Sequence, residues 1–593
     1  MASEPAITAL VAQVLPRCLV SRTRQPSGPR LDRPRPQRTA PRLHTHRQRQ
    51  LDRSKPPPPH PPARHDPQQT RRPAQPTSRH RRRPRTRGPP KTDGNSRLRP
   101  LRRTRMATAL RRYRGALRPS EGPCWPMNAV WKPSPMATDL SRLPHAPGRL
   151  PLLGDVTSVD RHKPTQHEMA LSRDLGPIFQ RKLLKDRLVI VAGSDLANEC
   201  ANEDNWARAL LGPGLSLRKV ADDGLFTART SDPAWGHARR VLTPAFTQDA
   251  MRVHHEAMLS VADDLRDSWT GSNSDLVDVT TAMTHTTLEV IARAGFSMGF
   301  GLFGDQGGSV DNARAFLDAL GRTLVWASES TNDFPIIGHV REALRQRQLR
   351  SDIETVQSTV DHIIEIRTDA DPVKSTDLLD LMLSTADPET GEFLDHNNVR
   401  NQILTFLVAG HETTASLLET TLFYLAQDAG LQDRLRTEAA TLKAADYAYT
   451  AVAGLRDIRA TLNEVLRLWP PLPGLFRVSR RDQTLGGYHV PAGRAVFVLA
   501  LAAQRDPTVW GDSADDFDPF RTKPARNAFF RPWGIGPRSC IGRAFAFHEA
   551  TLLIAHILNN FELSAPAPAQ LNIRERGALR PEPFHVKVAS LAK

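Results

Sequence analysis

The stretch NNVRNQILTFLVAGHETTASLLETTLFYLAQ, residues 397–427, constrains this chain more than any other. Its middle is apolar nearly all round instead of along one stripe. A helix of that kind has no face to offer water, so it belongs at the centre of a large protein. Its surroundings match. A helix is predicted near 164–175, and the pattern from about 232 to 427 is mainly helical. PAWGHARRVLTPAF (233–246) opens on proline and puts Trp235 and Arg239 four apart, on one helix face. AGLRDIRATLNEVLRLWPP (453–471) reads as a helix stopped by Pro470 and Pro471. RAFAFHEATLLIAHILNNF (543–561) reads as another. RLVIVAG (187–193) is a β-branched run with strand character, and short strands are expected at 484–499. The fold class is therefore mainly α with a minor β region, without a repeat of solenoid period.

Only part of the chain can build such a core. The formal net charge is +18, but residues 1–126 carry 31 Lys and Arg against 6 Asp and Glu. The remainder carries 50 against 57, so a basic head precedes a mildly acidic body. The head, with runs such as KPPPPHPPARH and RHRRRPRTRGPPK, is expected to be disordered. It is a tail for an acidic partner, an inert solvated tail, or a segment ahead of a true start at Met127 or Met136. Nucleic-acid binding is not expected, because neither aromatic interleaving nor a folded module accompanies the charge.

The four cysteines, Cys18, Cys124, Cys200 and Cys540, are far apart, which excludes a CxxC zinc or redox motif. A disulfide framework is not expected at this density, and a reducing compartment is. No apolar run approaches the ~18–20 residues that span a bilayer. The first residues lack a basic region before a long apolar core, so no secretory signal is expected. The expected location is cytoplasmic.

Three motifs carry chemistry. In RPWGIGPRSCIGRAF (531–545), glycines 534, 536 and 542 allow sharp turns and close approach to a flat partner. Arg538 adds charge near the sulfur, and the helix beginning near Gly542 offers its positive end. These effects favour a thiolate. Cys540 is then a nucleophile, a metal ligand or a buried structural cysteine. His548 stands too far along the helix for an easy nucleophile–base pair. A single thiolate suits haem iron, which takes one protein ligand on that side. In AGHETTA (409–415), the Ala409–Gly410 pair opens a groove for a diatomic ligand, with Glu412 and Thr413 to relay protons. The alternative is a pair of threonines bonded back into their own helix. The stretch is not a zinc-protease motif, since Ala415 stands where a second histidine is needed. In NEVLR (463–467), Glu464 and Arg467 share a helix face. The pair matters if it is buried and joined by a second arginine.

In this order and spacing the motifs resemble the cytochrome P-450 family of haem-thiolate monooxygenases. WGIGPRSCIG fits the family's haem loop except that Trp533 replaces a phenylalanine. AGHETT, Glu464 with Arg467, Arg521 in FDPFR, and Trp235 with Arg239 match four further motifs. The resemblance covers 137–593, the catalytic domain it implies, with haem between a long central helix and the cysteine loop. A narrower resemblance is to the haem domain of bacterial self-sufficient fatty-acid hydroxylases, carried by DGLFTARTSDPAWGHARRVLTPAF, DPETGEFLD, LTFLVAGHETT, NEVLRLWPP and IGRAFAFHEATLL.

The resemblance implies haem b with Cys540 as axial ligand. Trp235, Arg239 and Arg538 would hold the propionates, and Trp533, Gly534 and Gly542 would shape the loop. Glu412 and Thr413 would deliver protons. Phe226, Ala409 and Leu472 would line the substrate pocket. Glu464, Arg467 and Arg521 would form a structural network. The implied activity is insertion of one oxygen atom from O2 into a C–H bond of a lipophilic substrate such as a fatty acid. Electrons would come from a separate NAD(P)H-dependent reductase, ferredoxin or flavodoxin, unless the chain is a truncated or diverged form of the fused enzymes. Asp186 and Ile190 stand where the fatty-acid enzymes carry a carboxylate-anchoring Arg and Tyr, with Lys185 or Arg187 as substitutes. A peroxide-driven peroxygenase and a non-enzymatic haem binder are the rivals. The acid–alcohol pair argues against the first. The complete relay and the lack of an output domain argue against the second.

Overall fold

The central helix forms as His396–Gln427, capped by Asp395, whose carboxylate accepts the Asn398 N–H. Ile403, Leu404, Leu407, Leu417, Leu418 and Leu422 are all buried along it, each adding roughly 1.5–3 kcal/mol of apolar transfer. It packs against the helix Val279–Phe296 and forms one core with Gln248–Thr270, Arg456–Leu468 and Arg543–Asn560. The computed structural model describes residues 138–591, apart from 185, 273, 304–308, 333–334, 370–376, 523 and 525–526. The basic head expected at 1–126 lies outside the described residues. Among those described, no helix is long and apolar enough to cross a membrane.

The minor β region is mainly one five-stranded sheet. Ile178–Leu183 and Asp186–Val191 form an antiparallel hairpin with Phe179 opposite Ile190. The second strand runs parallel to Ala495–Val498, which pairs antiparallel with Leu475–Ser479, and that with Trp206–Arg208. A separate hairpin, Ile573–Arg576 with Ala578–Pro581, lies on the central helix.

The predicted helices appear as Pro164–Leu175, Pro233–Leu242, Arg456–Leu468 and Arg543–Asn560. The reading of 233–246 as one helix needs shortening: Pro244 interrupts it, and Thr243–Phe246 tightens to a 3-10 turn.

Glu464 and Arg467 are buried, at 5% and 2% exposure, and bonded twice at 2.8 Å. Arg521 donates to the same carboxylate at 2.9 Å, and the Asp518 N–H at 3.1 Å. Arg467 also binds the carbonyls of Gln504, Ala514 and Asp516. The three residues thus lock the Arg456–Leu468 helix to the irregular segment that leads to the Cys540 loop.

Candidate active site

The polar first turns of the central helix hold the segment that carries Phe226. Asn398 and Asn401 donate to the two oxygens of Asp223, and Gln402 accepts the Leu225 N–H. Gly224 lies directly on the helix; a Cβ there would stand 2.1 Å from Thr405 Oγ1. Phe226 and Ala409 consequently line one apolar cavity with Leu217, Val220 and Val408. Its two hydroxyls, Thr227 and Thr405, donate to carbonyls of their own segments. Leu472 is not among the lining residues; it is 47% exposed just beyond the Pro470–Pro471 stop.

The Ala–Gly pair does not open a groove together. Ala409 is exposed on an otherwise buried helix, whereas Gly410 faces the neighbouring helix, where a Cβ would meet Ile291 at 3.0 Å. Adjacent helical residues point about 100° apart, so one faces the cavity and the other sets the helix spacing. The Thr413 hydroxyl donates to Ala409 O at 2.7 Å and Thr414 to Gly410 O at 2.9 Å, so both threonines do bond back. The Thr413 oxygen keeps its lone pairs to accept a further hydrogen bond. Burial raises the Glu412 carboxyl to about 7, with Arg580 and Arg574 opposing.

In the cysteine loop, Gly534 and Gly536 have φ of +80° and +60°, which a side chain rarely adopts. A Cβ on Gly536 would also strike Glu203. Gly542 has an ordinary φ of −81° and caps the helix, so no left-handed turn requires it. Cys540 presents its side chain to a recess while protein surrounds it on most sides. Burial therefore pushes its thiol up, against the Gly542 N–H, Arg239 and Arg543. Without a cation on the sulfur, burial thus opposes the local charges, and a bound cation is what would hold the sulfur deprotonated. Arg538 is not the cation beside the sulfur. The short 3-10 turn Gly536–Arg538 aims it at the carbonyls of Leu225 and Ala228, with its guanidinium 4.5 Å from the Trp235 ring. His548 bonds to His255 at 2.9 Å.

Arg208, which the sequence reading missed, joins this group. It donates to Phe226 O at 2.6 Å and to Ala228 O. No motif marks it, since it reaches the site only through pairing of its strand at the sheet edge. Arg239 reaches Ser539 O. Three guanidiniums thus gather beside the segment that carries Phe226, and Asp232 is the anion that acts on Arg538. Burial lowers Arg208 to about 10 and, with repulsion from Arg208 and Arg239, lowers Arg538 to about 9. Arg538 Nη1 is buried without a hydrogen-bond partner among the described residues. Such a cluster calls for an anionic ligand. Phe246 lies near Gly542 and packs on Phe406, one turn before Ala409. A lone sulfur on a glycine-turned loop, with an apolar cavity and a cluster of guanidiniums nearby, suits haem and its propionates.

The comparisons agree. The family model for cytochrome P450 matches residues 144–588. The chain belongs to the cytochrome P450 family. Members are haem-dependent monooxygenases, with haem b as cofactor. The chain is 34% identical over 444 residues to a bifunctional cytochrome P450/NADPH–P450 reductase of Bacillus cereus, covering 74% of this chain and 41% of that one. It is 32% identical to a self-sufficient cytochrome P450 monooxygenase of Phanerodontia chrysosporium, covering 74% and 42%. The chain thus spans about two fifths of the length of these curated relatives. It is similar to the crystal structure of a cytochrome P450 (CYP102L1), with TM-score 0.69 and 35% identity, covering 76% of this chain and 99% of that one.

Proposed function

We propose that this P450 inserts one oxygen atom from O2 into a C–H bond of a lipophilic substrate, with electrons from a separate NAD(P)H-dependent redox partner. The observation that carries the reading is the convergence of the Cys540 loop, the three guanidiniums and the apolar Phe226–Ala409 cavity. Haem b supplies the oxygen-activating chemistry when bound. Cys540 would hold the haem iron, and Trp235, Arg208, Arg239 and Arg538 would hold its propionates. Thr413, bonded to the carbonyl of Ala409, orders a proton donor through its free lone pairs. Glu412, raised to about 7, holds a proton near neutral pH. Phe226 and Ala409 orient the substrate and exclude water. Trp533 accepts the Cys540 N–H at its carbonyl and meets Phe547 edge-on.

Long-chain fatty acids are the first class to test, although the expected anchor has no counterpart among the described residues. Ile190 is buried in the sheet, Asp186 is an exposed anion, Arg187 turns back to Gln180, and Lys185 lies outside the described residues. A cytoplasmic location goes with this reading. The test is the carbon-monoxide spectrum of the reduced haem protein. A strongly red-shifted Soret band, lost in Cys540→Ser, is expected; its absence from the parent protein refutes the assignment. Turnover with peroxide exceeding turnover with O2, a reductase and NADPH refutes the O2-dependent reading.

A further inference from the structure

The central helix carries a second carboxylate two turns beyond Glu412, on the same face: Glu419, fully buried. The Ile573–Pro581 hairpin lies along this face. Gly577 lies at the Glu412 carboxyl, where a Cβ would come within 2.7 Å of Oε2. Ser416 bonds to Leu579 O, and Arg580 bonds to both oxygens of Glu419. Arg580 also donates to Thr284 Oγ1 at 2.8 Å. Among the described residues no hydrogen bond reaches the Glu412 carboxyl. The cation closest to it in charge effect is therefore committed to another carboxylate.

We propose that Glu419 is a positioning residue for Glu412: by holding Arg580 in a buried pair, it keeps that guanidinium from capturing the carboxyl that carries the proton. An arginine beside a carboxyl favours its charged form; at Glu419 itself burial raises the carboxyl while Arg580 opposes, and Arg580 is in turn held charged by Glu419. With Arg580 neutralised by Glu419, desolvation decides instead, and Glu412 stays protonatable near 7.

The other groups around this face do not offset the effect. From the hairpin come Arg576 and Arg574, the latter lowered by burial, Arg580 and Arg576 and raised by Glu419 and the nearby Glu582. Glu575 is bound to Thr165 and Gln166. From Val279–Phe296 and its cap come Thr284, His285 and Asp278, the last acting mainly on Glu419. From Ser309–Asn332 comes Ser328, which accepts the Gly577 N–H. On the central helix His411, lowered to about 4 by burial, is neutral and bonded to Leu407 O.

The proposal rests on the reading of Glu412 as a proton carrier, and two readouts separate them. The first is an infrared pH titration of protonated carboxyls in the haem-loaded protein, the Glu412 band being assigned by its loss in Glu412→Gln. Glu419→Gln is expected to move the midpoint of that band down by about one pH unit or more, the shift an adjacent arginine exerts on a carboxyl. The neutral double variant Glu419→Gln/Arg580→Gln is expected to bring it back toward the parent value. An unchanged midpoint in Glu419→Gln with parental haem content overturns the proposal, as does a double variant that stays displaced. Should Glu419→Gln not retain haem, Glu419→Asp replaces it, since it draws the carboxylate back by one methylene. A downward shift there supports the proposal and none overturns it. The second readout is the coupling of O2 consumption to product. Parental coupling in Glu412→Gln at every pH refutes the proton-carrier role itself, whatever the band does.

Discussion

Removing the Glu464 carboxylate should destabilise the whole described unit. Glu464→Gln keeps the shape but places an amide N–H₂ against guanidinium donors. It disturbs four hydrogen bonds at 2.8–3.1 Å, from Arg467 twice, Arg521 and Asp518. Arg467, 2% exposed, keeps its three carbonyl partners but loses its countercharge. Breaking a buried pair from one side costs about 3–5 kcal/mol. Unfolding entropy is about 2.1 cal/mol/K per residue, hence on the order of 1 kcal/mol/K for a unit of about 450 residues. The melting temperature should then fall by about 3–5 °C. Arg521→Gln removes one bond to Glu464 and two to carbonyls from a less buried side chain, so its loss should be about half as large. The assay is thermal unfolding followed by circular dichroism, with haem content measured alongside. A melting temperature unchanged in Glu464→Gln, or a larger loss in Arg521→Gln, would refute the reasoning.

Other perturbations follow from the site. Thr413→Ala should retain haem while O2 consumption uncouples from product; coupling equal to the parent would count against the relay. With the Glu412 carboxyl at about 7, coupling should fall as pH rises through that value and become pH-independent in Glu412→Gln, measured as product formed per O2 consumed. Arg208→Gln should weaken haem retention several-fold, read by transfer of haem to an apo-acceptor, because one of three guanidiniums leaves the cluster. Gly410→Ala should destabilise by about 1–3 kcal/mol through overpacking against Ile291, and Ile291→Val should relieve much of that loss in the double variant.

Much of the architecture was legible because it follows from local pattern. An all-round apolar helix has only one place to go, prolines mark where helices start and stop, and the glycines around Cys540 announce unusual backbone. Two of those glycines do adopt positive φ. Glu464 and Arg467 were visible as a helical pair. Their burial and their third partner depend on Arg521, more than fifty residues away in sequence.

What only the tertiary structure decided is where charges point and how dry they are. Arg538 is two residues from Cys540 yet turns to Trp235, while Arg239 and Arg543 approach the sulfur. Arg208 enters the site through strand pairing. Glu419 meets Arg580 from 161 residues away. Sequence by itself determined which residues form the helices and which types could bind haem, because helical periodicity and backbone freedom act over a few residues. Desolvation and Coulomb forces act through space, so the surroundings of Cys540 and Glu412 depend on groups far away in sequence.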